Sequence, residues 1–227
     1  MSRIRLDDRK LPGYTRSEEI FNMVSHIVGG AFGLLVLLLC AIFASRVHNW
    51  RGLAGGLVYG FSMIFLYTMS SLYHGVTPER PKKVLQVMDH CTIYALILGT
   101  WTPILLTGLW DYSRGMTIAV AALLLVGTAV GVTFTAIDFK TYKLLAYGGY
   151  FVVGWIALFV ARPMVKAFGW PFFLWLLAGG VTYTLGMVFY AVGRKKKYFH
   201  SVFHLFILGG SILQFVAIFL WCVVPAY

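Results

Sequence analysis

The sequence predicts an all-α polytopic membrane protein, a seven-transmembrane helix bundle with its N-terminus cytoplasmic and its C-terminus outside. Three observations carry this. The 227 residues are 59% hydrophobic and 12% charged, too few charges to cover a water-soluble domain. Seven runs without a formal charge recur along the chain, each near the ~20 residues that a ~30 Å hydrocarbon core demands. Of the 19 Lys and Arg, 14 fall in the N-terminal segment and every second connection, the asymmetry that orients membrane proteins.

Residues 1–18 are a polar, basic cytoplasmic segment (Arg3, Arg5, Arg9, Lys10, Arg16), expected to be loosely ordered. Residues 19–227 form the membrane domain. Its runs are Ile27–Ser45, Gly52–Tyr73, Cys91–Trp110, Met116–Ile137, Leu144–Ala161, Trp170–Val192 and Val202–Val224. They are continuous rather than alternating, which excludes a transmembrane barrel. In lipid the backbone must satisfy its own hydrogen bonds, so each run is a helix. The first run is too long for a cleaved signal peptide and lacks a small-residue cleavage site, so it is expected to stay as a span.

The net charge of +11 is not a nucleic-acid signal. The cations sit in short loops, as topology determinants and lipid-headgroup contacts. The topology is opposite to that of G-protein-coupled receptors. The seventh run has no lysine for a retinal Schiff base. Pro103 lies inside the third run and is expected to kink it. Gly29-Gly33 and Gly52-Gly56-Gly60 have the spacing of close helix contacts. Cys40, Cys91 and Cys222 fall in different runs and are expected to pack as small hydrophobes; a Cys40–Cys222 disulfide near one membrane face is the alternative, with no sequence support.

Chemistry concentrates at one depth. Asn22 and His26 open the first run, Ser70 and His74 close the second, Asp89 and His90 open the third, and His200 and His204 open the seventh. In alternating helices all these ends are cytoplasmic. Only His48 lies elsewhere, in an outer loop, and it is given no role. Ionisable groups inside spans are costly and face the bundle interior. The plainer alternative, histidines at the headgroup level like an aromatic belt, fits any one of them but not the set.

Ser70–His74 and His200–His204 are each four apart, on one helix face. Three imidazoles with an open fourth position suit catalytic Zn²⁺, and His74, His200 and His204 are the natural three. Asp89 would be a fourth ligand or a general base, and Ser70 would position water or a substrate oxygen. His90 is rotated about 100° from Asp89, so both cannot face one ion equally, and spacing alone does not choose between them. Glu19, Asn22 and His26 share a helical face. An anchored first turn is the favoured account of them, and a shell around the site's mouth is the other.

Glu19-x-x-Asn22-x-x-x-His26, Ser70-Ser-Leu-Tyr-His74, Met88-Asp89-His90-Cys91 and His200-x-x-x-His204, in this order, resemble the hemolysin III branch of the progestin and adipoQ receptor family, in its bacterial form. The similarity covers about Arg16 to the end. It implies seven spans in the plasma (inner) membrane and a zinc ion on His74, His200 and His204 near the cytoplasmic face. It implies Asp89 rather than His90 beside the zinc, with Ser70 as the matching serine. It also implies hydrolysis of lipid amides and a part in membrane lipid homeostasis, with membrane lipids as partners.

Three functions compete: a zinc-dependent lipid amide hydrolase, a non-catalytic lipid-state sensor stabilised by zinc, and a pore-forming or cytolytic protein. No ionisable residue lies mid-span, so a hydrated ion path has little to line it.

Overall fold

A computed structural model describes residues 4–193 and 196–225. Lys195, first of the three lysines before the seventh run, and the C-terminal Tyr227 lie outside the described residues. Among the described residues the chain is helical, with no β-strand.

The long helices are α1 (Arg16–Arg46), α2 (Trp50–Gly75), α3 (Glu79–Ile104), α4 (Arg114–Asp138), α8 (Trp170–Gly193) and α9 (Phe199–Ile218). Between α4 and α8 lie three short ones, α5 (Lys143–Gly154), α6 (Ile156–Phe159) and α7 (Ala161–Phe168). Six helices among the described residues are long and apolar enough to cross a membrane. The expected fifth run is helical but interrupted, at Trp155 (φ −95°, ψ 10°) and Val160 (φ −110°, ψ 20°). Gly154, a weak helix former, precedes the first break. Large apolar side chains cover the outside, among them Leu34, Leu38, Phe61 and Phe159, as a lipid-facing surface requires. The protein is a multi-pass membrane protein.

The helices run past their charge-free stretches at the polar ends. α1 starts at Arg16 rather than Ile27, and α3 at Glu79 rather than Cys91. A capping box starts α1: Glu18 N donates to Thr15 Oγ1, and Thr15 N donates to Glu18 Oε2 at 2.9 Å. The second Glu18 oxygen accepts from the backbone N–H of Tyr198 at 2.8 Å. Tyr198 is left-handed (φ 61°), a strained conformation for a tyrosine, and it is the residue from which α9 departs. Glu18 thus sets the starts of two helices together.

Sequential helices are neighbours (α1 on α2, α2 on α3, α3 on α4, α8 on α9), and α9 closes back onto α1. The glycine spacing works as expected. A Cβ on Gly60 would lie 2.8 Å from the Leu37 backbone, and one on Gly33 would lie 3.0 Å from the Ile64 backbone nitrogen. Pro103 is buried in α3, and the departure from α-helix begins two residues later, as a π-helical turn at Leu105–Leu109. There Thr107 is non-helical, and its hydroxyl donates to the Pro103 carbonyl at 2.7 Å. The three cysteines are free.

The N-terminal segment differs from expectation. Residues 4–15 are strapped across one end of the bundle: Ile4 N donates to Asp138 Oδ2 (2.8 Å), Arg9 Nη2 to the Ile137 carbonyl (2.6 Å), and Lys83 Nζ to the Asp7 carbonyl (2.6 Å). Scattered polar and charged groups find partners on other elements, which composition cannot reveal.

Candidate metal centre

His74 sits in the last turn of α2; His200 and His204 occupy the first two turns of α9. All three are buried. Their ligand atoms lie within 4.8 Å of one another. Nε2 of His200 is 3.4 Å from Nε2 of His74 and 3.1 Å from Nε2 of His204. Two tetrahedral ligands at the Zn–N distance of ~2.0–2.1 Å stand about 3.3 Å apart, so the spacing fits a single ion of zinc's size.

The outward nitrogens of His74 and His204 have polar neighbours. Nδ1–H of His74 donates to Oε2 of Glu19 at 2.5 Å, and Lys82 Nζ approaches the other Glu19 oxygen at 3.0 Å. That contact fixes the His74 tautomer and leaves Nε2 a lone pair directed inward, the usual partner arrangement of a metal-bound histidine. Nδ1 of His204 lies 3.4 Å from Ser25 Oγ, which itself donates to the Asn22 carbonyl. Asn22 Oδ1 accepts from Ser201 Oγ at 2.7 Å and joins α1 to α9. Two rings brace the cluster: Tyr14 stacks on His200 (centroids 4.8 Å, 18°), and His26 stacks on His204 (3.7 Å, 15°). Both His26 nitrogens are buried without a hydrogen-bond partner.

The cluster opens into a mainly apolar cavity of about 400 Å³ inside the bundle, walled by α1, α2, α3, α5, α8 and α9. Ser70 and Asp89 line it together with His26, His200 and His204. The Ser70 hydroxyl is buried and has no partner. Asp89 lies on the cavity wall, outside the group of three ligand atoms. His90 also lines the cavity but is outside the group of three, and its nitrogens are engaged elsewhere: Nδ1 meets the Gln86 carbonyl at 2.6 Å, and Nε2 meets the Tyr190 hydroxyl at 3.2 Å. His48 stays in its distant loop, with φ of 54°.

Sequence reasoning favoured an anchoring role for Glu19. Glu19 does lie in the acidic first turn of α1, but the capping box is made by Glu18, and the Glu19 carboxylate also meets His74. It also missed Tyr14, whose segment looked unstructured, and a buried polar knot at Ser211. There Ser211 Oγ meets the hydroxyls of Tyr67 (2.7 Å) and Tyr183 (2.8 Å), while the Tyr59 hydroxyl donates to the Ser211 carbonyl (3.0 Å). One sequence signal does mark the first miss: Glu19, Asn22 and His26 share the face of α1 that carries the contacts.

Residues 14–215 match the family model described as haemolysin-III related. The chain is similar to the "Hemolysin-3 homolog" of Bacillus subtilis, at 32% identity over 92% of this chain and 97% of that one. It is also similar to "Hemolysin-3" of Bacillus cereus, at 31% identity over 92% and 93%. More distantly it resembles the human "Monocyte to macrophage differentiation factor", at 24% identity over 71% and 67%. The motif order that suggested the hemolysin III pattern is thus matched by similarity along nearly the whole chain, and the chain belongs to the haemolysin-III-related family, a branch of the progestin and adipoQ receptor family.

Proposed function

We propose that the protein is a zinc-dependent hydrolase of membrane lipid amides, such as ceramide-like molecules, with a part in membrane lipid homeostasis. One observation carries this reading: three converging, buried imidazoles, two of which line a mainly apolar cavity of about 400 Å³ that has a hydroxyl and a carboxylate on its wall. Zinc, when bound, supplies a Lewis acid that polarises a carbonyl and acidifies water. His74, His200 and His204 hold it, and Glu19 orients His74. Asp89 accepts the proton of the attacking water and passes it to the leaving amine. Ser70 donates its unpaired hydroxyl hydrogen to the amide oxygen. Water adds to the carbonyl carbon, the C–N bond breaks, and a fatty acid and an amine leave.

In this proposal the interrupted segment α5–α7 makes the fifth of seven crossings. The N-terminal segment is cytoplasmic, the C-terminus is outside, and the metal centre lies near the cytoplasmic face of the plasma membrane. The Lys and Arg distribution supports that orientation. The test is fatty-acid release from lipid amides by the purified protein in bilayers. Release that depends on zinc supports the reading; no release from zinc-loaded protein, or equal release after chelation, defeats it. A second reading has its own support. The three histidines come from only two helices, so the metal would hold α2 to α9 in a lipid-state sensor without turnover. Metal-dependent stability with no substrate consumed favours it.

A further inference from the structure

A second cavity, of about 500 Å³, lies against the other side of the histidine cluster. Its roof is the strapped N-terminal segment, Arg9 to Thr15; its other walls include Lys140, Lys196 and Lys197. His90, Tyr190 and His200 line both this cavity and the apolar one, so the two share a wall at the metal centre.

Its charge is one-sided. Arg9, Lys10, Lys140, Lys196 and Lys197 face a single lining carboxylate, Glu18. That carboxylate is already engaged by Thr15 N, Thr15 Oγ1 and Tyr198 N, at 2.9, 2.7 and 2.8 Å. Arg9 is the telling residue. It is 6% exposed, its Nη2 donates to the Ile137 carbonyl, and its buried Nε has no partner. Among the described residues no carboxylate forms an ion pair with it. A buried guanidinium without a counter-ion is costly, and the group best shaped to relieve it is a multiply charged oxyanion.

We propose that this cavity is an anion site for a phosphate group. The guanidinium of Arg9 forms its buried end and the lysines its mouth. A single carboxylate would neutralise one of five cations, whereas a phosphate offers more charge and more acceptor oxygens to the same donors. The phosphate comes either from the headgroup of an anionic phospholipid or from free phosphate in the water. Either way its occupant shares the cavity with His200. The proposal is independent of hydrolysis and is read by binding alone.

The experiment follows thermal unfolding of the full chain in nanodiscs, since a ligand that binds only the folded state raises the midpoint. In phosphatidylcholine nanodiscs, inorganic phosphate is titrated at fixed ionic strength, with acetate as the control anion. In parallel, phosphatidylglycerol replaces part of the phosphatidylcholine. A rise with phosphate identifies the free anion; a rise with phosphatidylglycerol alone identifies the headgroup. Arg9→Gln should weaken the response about tenfold or more. The combined variant Lys10→Gln, Lys196→Gln, Lys197→Gln changes exposed side chains only, and it decides the matter if Arg9→Gln does not fold. Arg80→Gln removes an exposed cation that does not line the cavity and should leave the response unchanged. The proposal is overturned if neither arm stabilises the wild type or if acetate matches phosphate. It is equally overturned if the cavity variants respond like the wild type or if Arg80→Gln loses as much as they do.

Discussion

Nδ1 of His74 and Oε2 of Glu19 stand 2.5 Å apart, joining residues 55 positions apart in sequence and setting which nitrogen of His74 faces His200. Removing such a partner loosens the ring and lowers its basicity without removing a ligand. Glu19→Gln should therefore weaken zinc binding by about 10–100-fold while the protein still folds. Competition against a chromophoric chelator measures this, and an unchanged affinity would show that Glu19 serves only its ion pair with Lys82.

His200 is central to the cluster, since its Nε2 contacts both other imidazoles. His200→Ala should abolish stoichiometric zinc. Chelation should lower the unfolding midpoint of the wild type and leave that of His200→Ala unmoved, because a ligand stabilises only the protein that binds it. One equivalent of zinc retained by the variant would place the metal elsewhere.

The histidines were legible in the sequence because four-residue spacing and a common span end are local properties. The Glu19–His74 pair was not. An acidic residue in the first turn of a helix already has a sufficient local explanation, and only tertiary structure shows that Glu19 also reaches His74 on α2. Tyr14 was hidden for a related reason: its segment has no apolar periodicity, and its order comes from backbone carbonyls and side chains on distant helices. The breaks at Trp155 and Val160 escape a reading based on charge, since the residues around them are as apolar as those of an unbroken span. The hydrophobic runs specify which segments enter the bilayer, not where the backbone leaves helical geometry.

Ser211 satisfies two tyrosine hydroxyls at once, from the buried Tyr67 on α2 and the half-buried Tyr183 on α8. Ser211→Ala leaves the Tyr183 hydroxyl without this partner and Tyr67 with only a long contact to the Ile207 carbonyl, at 3.4 Å. The expected cost is about 1–3 kcal/mol, the usual penalty for a buried polar group left unpaired. Equilibrium unfolding of the variant alongside Tyr183→Phe measures it. If Tyr183→Phe fully accounts for the loss, the contact to Tyr67 contributes nothing.

Gly60 meets the Leu37 backbone, so an added side chain has no flexible neighbour to displace. Gly60→Val should push α1 from α2 and destabilise the protein by about 1–3 kcal/mol, as overpacking does. Gly115→Val, at a position where an added Cβ would meet nothing within 4 Å, should cost much less in the same assay.

If the proposed hydrolysis holds, Asp89 and Ser70 separate chemistry from metal binding, because both line the cavity and neither belongs to the three-histidine cluster. Asp89→Asn keeps the shape of the side chain and removes its basicity. Fatty-acid release from a lipid amide should fall about 10²–10⁴-fold, the usual contribution of a general base, while zinc content stays at the wild-type level. Ser70→Ala should lower release too, yet it should not lower stability, since the hydroxyl it removes is buried without a partner. Ser211→Ala is the opposite case, with stability lost through a hydroxyl that does have partners. Metal content, unfolding and product release measured together on these variants distinguish the two kinds of residue. Loss of zinc in Asp89→Asn would make the aspartate a ligand rather than a base, and unchanged release in both variants would remove the proposed chemistry from this cavity.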